Sequence, residues 1–327
     1  MRRLSALAAA LVIATIAGCG GSTTKDPYQL AYAAKNATAP DVQQVKIGLA
    51  VSGGSMPITI APDAFKVTVA SKTHQFRLQV NLPTAGLGIS AAQLALVGIT
   101  GDSITLDVLF DGTALYLDSP AAAKLLGLLM AQAGQTPPAD LSGWLKLGTV
   151  ADFAGLAGQL GALPSMVPAA SEAPVTDGAS LKAKLDPYGV TLTYVETASR
   201  NGVSANHLAV AIDLAKLAAN PTVKDAGGSK LDSLSGMTGS VSIAGDLWLD
   251  ASTSRVVEID IHVTPAAGAA ASAGSLPSGM PDKVDLTVLV GTPDAGTTLD
   301  APATFTEVPL TPLLESLVKS FGKGLTP

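Results

Sequence analysis

Ile104-Thr105-Leu106-Asp107-Val108-Leu109-Phe110 runs into Asp111-Gly112, and Leu115 and Leu117 lie beyond the turn. Successive side chains of a strand point to opposite faces, so Ile104, Leu106, Val108 and Phe110 fall on one side. Asp-Gly between two alternating runs is a strong hairpin signal. The same two-residue period recurs in both directions along the chain. Toward the N-terminus it carries Val45, Ile47, Leu49 and Val51, then Phe65, Val67 and Val69, then Phe76, Leu78 and Val80. Toward the C-terminus it carries Val190, Leu192 and Tyr194, then Leu208, Val210 and Ile212, then Val241, Ile243, Leu247 and Leu249. Val257, Ile259, Ile261 and Val263 follow, and Val284, Leu286, Val288 and Val290 close the series. Trp144-Leu145-Lys146-Leu147 reads as a short strand, and Phe305 marks a last one.

Helical spacing is confined to shorter stretches. Pro27 to Ala37, Ser90 to Val97, Ala121 to Ala133 after Pro120, Val150 to Leu163, Ser180 to Leu185, Asp213 to Asn220 and Pro312 to Phe321 are the candidates. Pro164 to Gly178 and Ala266 to Ser278 read as loops rich in small residues. Strands are grouped, not alternated with long helices, and nearly every strand has one apolar and one polar side. The class this predicts is α+β, with a large antiparallel sheet covered on one face only.

Composition sets the outer bounds. Of 327 residues, 47% are hydrophobic and 14% charged, with a formal net charge of −6. About a quarter of an average domain is charged, so this chain buries or shelters much apolar surface and is not a disordered acidic chain. The negative balance gives no electrostatic basis for nucleic acid as a partner. A single Cys excludes an intramolecular disulfide framework and a Cys-cluster metal site.

That Cys has a setting of its own. Arg2 and Arg3 precede an apolar run from Leu4 to Ile16, which ends in Ile16-Ala17-Gly18-Cys19 and the polar Gly20 to Thr24. The run is too short for a spanning helix, which needs ~20 residues, and has the length of a signal-peptide core. The tetrapeptide resembles a bacterial lipobox, in which the Cys sulfur receives a diacylglyceryl group; the alternative is an ordinary secretory signal with an unrelated Cys. The expected organisation is a signal peptide at 1–18, a tether and first helix at 19–40, and one domain at 41–327. Two acyl chains suffice for stable anchoring where one is marginal.

Catalytic signatures are absent. There is no Gly-x-Ser-x-Gly elbow, no His-Glu-x-x-His, no phosphate loop and no EF-hand loop. Ser316-Leu317-Val318-Lys319 matches Ser-x-x-Lys without its partner motifs. Glu258, Asp260 and His262 share one side of a strand, where they are read as a solvated convex face rather than as ligands of a divalent ion. No catalytic residue, metal or cofactor is expected.

Three groups of strand-turn phrases carry a resemblance. They are Phe110 to Leu117 with Trp144 to Leu147; Asn206 to Asp213; and Gly245 to Asp250 with Arg255 to Ile261, Lys283 to Val290 and Gly291-Thr292-Pro293. With the lipobox, the chain resembles the LppX/LprA/LprF/LprG group of bacterial lipoproteins, related in fold to LolA and LolB. The resemblance implies a curved, half-open barrel capped by helices on its concave face. It implies a non-enzymatic carrier anchored on the extracytoplasmic side of the cell membrane through Cys19. Its partners would be lipid or glycolipid cargo and an envelope transporter.

The site would be the concave apolar face. Its residues are Ile47, Leu49, Val67, Phe76, Leu78, Leu106, Val108, Leu192, Leu208, Val210, Leu247, Ile259, Ile261, Leu286 and Val288. Burial of acyl chain at ~25 cal/mol per Å² needs few specific contacts. The alternative is a non-catalytic structural or sensory lipoprotein with a filled core and a protein partner.

Overall fold

The computed structural model describes residues 25–53, 57–84, 91–96, 99, 101–132, 134, 136–138, 140–152, 174–223, 241–265 and 281–308. The signal segment, Cys19, the helix candidate at 312–321, residues 153–163 of another, and the tetrad 316–319 lie outside these, as do the loop residues 164–173 and 266–278.

The described strands are β1 (Val42–Ser52), β2 (Ile58–Ile60), β3 (Phe65–Ala70), β4 (Gln75–Pro83), β5 (Ser103–Phe110), β6 (Ala114–Asp118), β7 (Leu145–Thr149), β8 (Val190–Arg200), β9 (Val203–Ile212), β10 (Val241–Asp250), β11 (Val256–Pro265), β12 (Lys283–Gly291) and β13 (Thr306–Glu307). Among the described residues the helices with complete bounds are α1 (Pro27–Lys35), α2 (Ala91–Leu96), α3 (Pro120–Gln132), α4 (Gly178–Leu185) and α5 (Leu214–Ala219). The class is α+β. Strand order in the sheet is β13-β7-β6-β5-β4-β3-β1-β12-β11-β10-β9-β8, with β2 on β1. The pair β13–β7 is parallel, while β2–β1, β1–β3, β3–β4, β4–β5, β5–β6, β6–β7, β8–β9, β9–β10, β10–β11 and β11–β12 are antiparallel. Contacts divide the chain into two compact units, one of residues 1–40, 47–62 and 172–291, the other of 41–46, 63–171 and 292–327.

In the unit of 41–46, 63–171 and 292–327, the β5–β6 hairpin falls where Asp111-Gly112 places it, with Phe110 opposite Leu115 and Val108 opposite Leu117. Asp111 builds the turn itself, accepting from the Thr113 and Ala114 amides at 2.7 and 2.8 Å, and Gly112 supplies the positive φ of 94°. Helix α3 starts at Pro120, whose missing N–H costs nothing in the first turn. It packs Ala123, Leu126 and Met130 on Leu145, Leu147 and Val308.

The opposite, polar face is also covered, contrary to the one-face expectation. Residues 294–305 lie across it as a strap. Asp294 bonds Lys46 and Lys66 at 2.8 Å each, and the Thr298 carbonyl accepts from Arg77 at 3.1 Å. Leu299 packs against Leu109, Ala114 and Tyr116, and Phe305 meets Tyr116 edge-on at 5.5 Å.

In the unit of 1–40, 47–62 and 172–291, helices α1, α4 and α5 begin on side-chain caps. Asp26 accepts from the Tyr28 and Gln29 amides ahead of α1, Asp177 forms a capping box with Ser180 ahead of α4, and Asp213 caps α5. Helix α1 lays Leu30 and Ala34 on Leu208, Leu249 and Val256. The α1–β8 contact is fixed by Tyr28, whose hydroxyl accepts from the Leu192 amide at 3.2 Å.

Candidate functional site

Register decides which expected residues share a face, because directly paired residues point the same way. In the second of the two units, Val67 is opposite Leu78, Leu78 opposite Val108, and Val80 opposite Leu106. Phe76 pairs with Phe110, their ring centroids 5.7 Å apart. Val67, Phe76, Leu78, Leu106 and Val108 are therefore brought to one apolar face. They are half-buried, apart from Phe76, which is 36% exposed. The face continues through Phe65, Val80, Ile104 and Phe110, also half-buried, which follow from the same alternation one step further along each strand.

In the other unit, Leu192 is opposite Val210, Leu208 opposite Leu247, and Leu247 opposite Ile259. Ile259 is opposite Val288, and Ile261 opposite Leu286. These eight residues share a second apolar face. Helix α1 covers part of it, so Leu208 is fully buried, while Val210, Leu247, Ile259, Ile261 and Leu286 stay half-buried. Leu192 and Val288 are buried as well. Ile47 and Leu49 share one side of β1 and are half-buried, with Leu49 opposite Ile60 of β2.

The polar faces behave in the opposite way. Gln44 and Thr68 are buried and bonded to each other at 3.2 Å. Arg77 grips Asp107 with two nitrogens and lies 5.5 Å over the Trp144 ring. Glu258, read from sequence as solvated, is only 3% exposed, and Asp260 is 9% exposed. Long-range partners cover both carboxylates: Glu258 takes hydrogen bonds from Arg200 and Asn201, and Thr287 donates to Asp260 at 2.7 Å. Arg200 in turn stacks over Trp248, itself stacked on His207 at 4.1 Å.

Charges in this network shift one another. Burial would raise the Glu258 carboxyl, but its bonds with Arg200, Asp260 and Asn201 outweigh that and hold it below the usual range. Burial, with the neighbouring Glu258, pushes Asp260 above it. His262 reaches Asp285 at 2.7 Å through Nδ1 and Asp246 at 3.2 Å through Nε2. These bonds outweigh burial and raise its pKa. Among the described residues no group of His, Cys, Asp and Glu is arranged to hold a metal ion. No described helix is long and apolar enough to cross a membrane.

A groove of about 470 Å³ lies elsewhere, between α4 and the start of the segment after α5. It is lined by Ser180, Lys184, Pro187, Tyr188 and Asn220 among others, and none of the expected residues touches it.

No protein-family model matches the chain, and no curated protein matches it in sequence. Among solved structures it is similar to the Mycobacterium tuberculosis lipoprotein LppX, at 12% identity and a TM-score of 0.31, over 84% of this chain and 96% of that one. It is similar to LprF from Mycobacterium bovis, at 10% identity and a TM-score of 0.31, over 80% and 90%. A LolA superfamily protein from Nitrosomonas europaea matches at 9% identity and a TM-score of 0.17, over 78% and 88%. LppX and LprF are of the group that the strand-turn phrases resemble.

Proposed function

We propose that this chain is a cell-envelope lipoprotein, anchored through a diacylglyceryl group on Cys19, whose apolar sheet faces hold the acyl chains of a lipid or glycolipid and carry it across the envelope. The chemistry is binding, not catalysis. What supports the reading is the distribution of burial. Val67, Leu78, Leu106, Val108, Val210, Ile261 and Leu286 remain only half-buried in the folded chain, while Gln44, Thr68, Glu258 and Asp260 on the opposite faces are buried. A protein ordinarily arranges these the other way round. Apolar strand faces left part-open are stabilised by an apolar ligand, and acyl chains satisfy them without directional contacts.

Native mass spectrometry of protein purified from its host tests this. The expected result is copurifying lipid whose mass changes with the lipids of the host. Repeated absence of lipid, together with no binding of fluorescent fatty acids, would overturn it and leave a tethered scaffold with a protein partner.

A further inference from the structure

Strand β8 ends the sheet: among the described residues no strand pairs with its other edge. The first half of that edge is guarded. The Leu192 amide donates to the Tyr28 hydroxyl of α1, away from β9, and the register slips between Tyr194 and Glu196, where Val195 is 49% exposed. The second half, Glu196 to Arg200, has neither Pro nor Lys to discourage another strand. Glu196, Thr197 and Ser199 are exposed there.

Hairpin geometry fixes which backbone groups of this half are free. Asn201 and Gly202, at φ 51° and 80°, form the two-residue turn into β9, so Arg200 and Val203 close the ladder as a hydrogen-bonded pair. Alternation then turns the N–H and C=O of Ala198 and Glu196 toward β9, and those of Ser199 and Thr197 outward. The side chains of Glu196, Ala198 and Arg200 share one face. Glu196 has no hydrogen bond or ion pair among the described residues. Arg200 holds Glu258 through Nε and Nη2, and its Nη1 has no hydrogen bond among them.

Charges of opposite sign, two residues either side of Ala198, make this edge complementary to itself. Turned about a two-fold axis at Ala198, a second copy sets its Ser199 opposite Thr197 as a hydrogen-bonded pair and its Arg200 directly opposite Glu196, each contact occurring twice by symmetry. Centring on Thr197 or Ser199 instead would set Glu196 or Arg200 opposite Ala198 and leave the charges unmatched. We infer that Glu196–Arg200 is a self-association edge, at which two copies of this chain join their sheets antiparallel about Ala198. So short an edge buries less than the ~1,200–2,000 Å² of a stable interface, and the association is weak and reversible. The inference goes beyond the carrier reading and does not require it: pairing here holds whether or not the sheet faces bind lipid.

Single cysteines in the full chain, oxidised at rising protein concentration, read the register, and the wild-type chain reports any linkage through Cys19. Ala198 faces its own copy in a pair without hydrogen bonds, with Cα atoms about 4.5 Å apart, a distance that a disulfide spans. Ala198→Cys is expected to form linked dimer roughly tenfold faster than Ser71→Cys, in the exposed turn after β3. Thr197→Cys and Ser199→Cys are each expected to stay unlinked alone and to link when mixed. Glu196→Lys, at an exposed position with no partner to lose, sets like charges opposite each other; it is expected to lower the Ala198→Cys yield roughly fivefold and leave the thermal melt unchanged. Dimer no faster at 198 than at 71 overturns the inference. So does self-linkage at 197 or 199 in place of 198, a yield that Glu196→Lys does not change, or linkage of 198 to a different protein alone.

Discussion

Replacing Val67 and Val108 together by Thr separates a ligand-binding face from a filled core. The two valines flank Leu78 across β3, β4 and β5, so the change places two hydroxyls beside one leucine in the middle of the apolar face. Thr keeps the β-branched shape and the strand preference, and the sheet should hold. Each valine is half-buried in the free protein, so an acyl chain would cover at most about a third of a side chain worth ~1.5–3 kcal/mol when fully buried. Losing that at two positions weakens binding by about 1 kcal/mol, a roughly 5-fold rise in the Kd of a fluorescent fatty acid. The cost in stability should stay within about 1 kcal/mol, because neither side chain is enclosed. Leu208→Ala is the contrasting variant: at a fully buried position under α1 it should cost ~2.7–5 kcal/mol in urea unfolding. Two results would refute the reasoning. One is an unchanged Kd in a folded double variant. The other is a stability loss in the double variant as large as that of Leu208→Ala, which would make the face an ordinary core.

Three further outcomes are expected. Arg200→Met strands the buried Glu258 carboxylate and should cost about 2 kcal/mol in urea unfolding, less than the ~3–5 of a wholly buried pair because 42% of the Arg200 side chain is exposed; Glu258→Gln in the same chain should restore part of the loss. His262 has a folded pKa above its unfolded value, so its contribution is complete below pH ~6.5 and is lost as pH rises through the folded pKa. Thermal melts should therefore show the wild type losing more stability than His262→Gln over that rise, and parallel curves would contradict it. Gly189→Ala should destabilise by about 2 kcal/mol in the same assay, since the residue sits at φ +71° and a Cβ there would lie 2.6 Å from the Asp213 carbonyl oxygen.

The apolar sides of the strands were legible because a two-residue period is a local property. Val67, Leu78 and Val108 could each be assigned a face from their own strands, and register then aligned those faces. The hairpin at Asp111 was legible for the same reason. Strand β2 was not: three residues hemmed by Pro57 and Pro62 carry too little alternation. Nor was the covering of the polar faces. Glu258 and Asp260 look solvated in sequence because their partners, Arg200, Asn201 and Thr287, come from other strands and a turn at long range. The strap from Asp294 to Phe305 has no period at all, and what fixes it is long-range pairing with Lys46, Lys66 and Arg77. The exposure of Leu125, Leu128 and Leu129 on α3 was hidden because an apolar helix reads the same whether one side or both are buried.

A photoactivatable fatty acid, crosslinked in place and mapped residue by residue, probes the central claim most directly. Adducts are predicted on the half-buried strand residues, Leu78 and Val108 in one unit and Ile261 and Leu286 in the other. Adducts confined to the groove beside α4, or none above the background of unfolded chain, would contradict it.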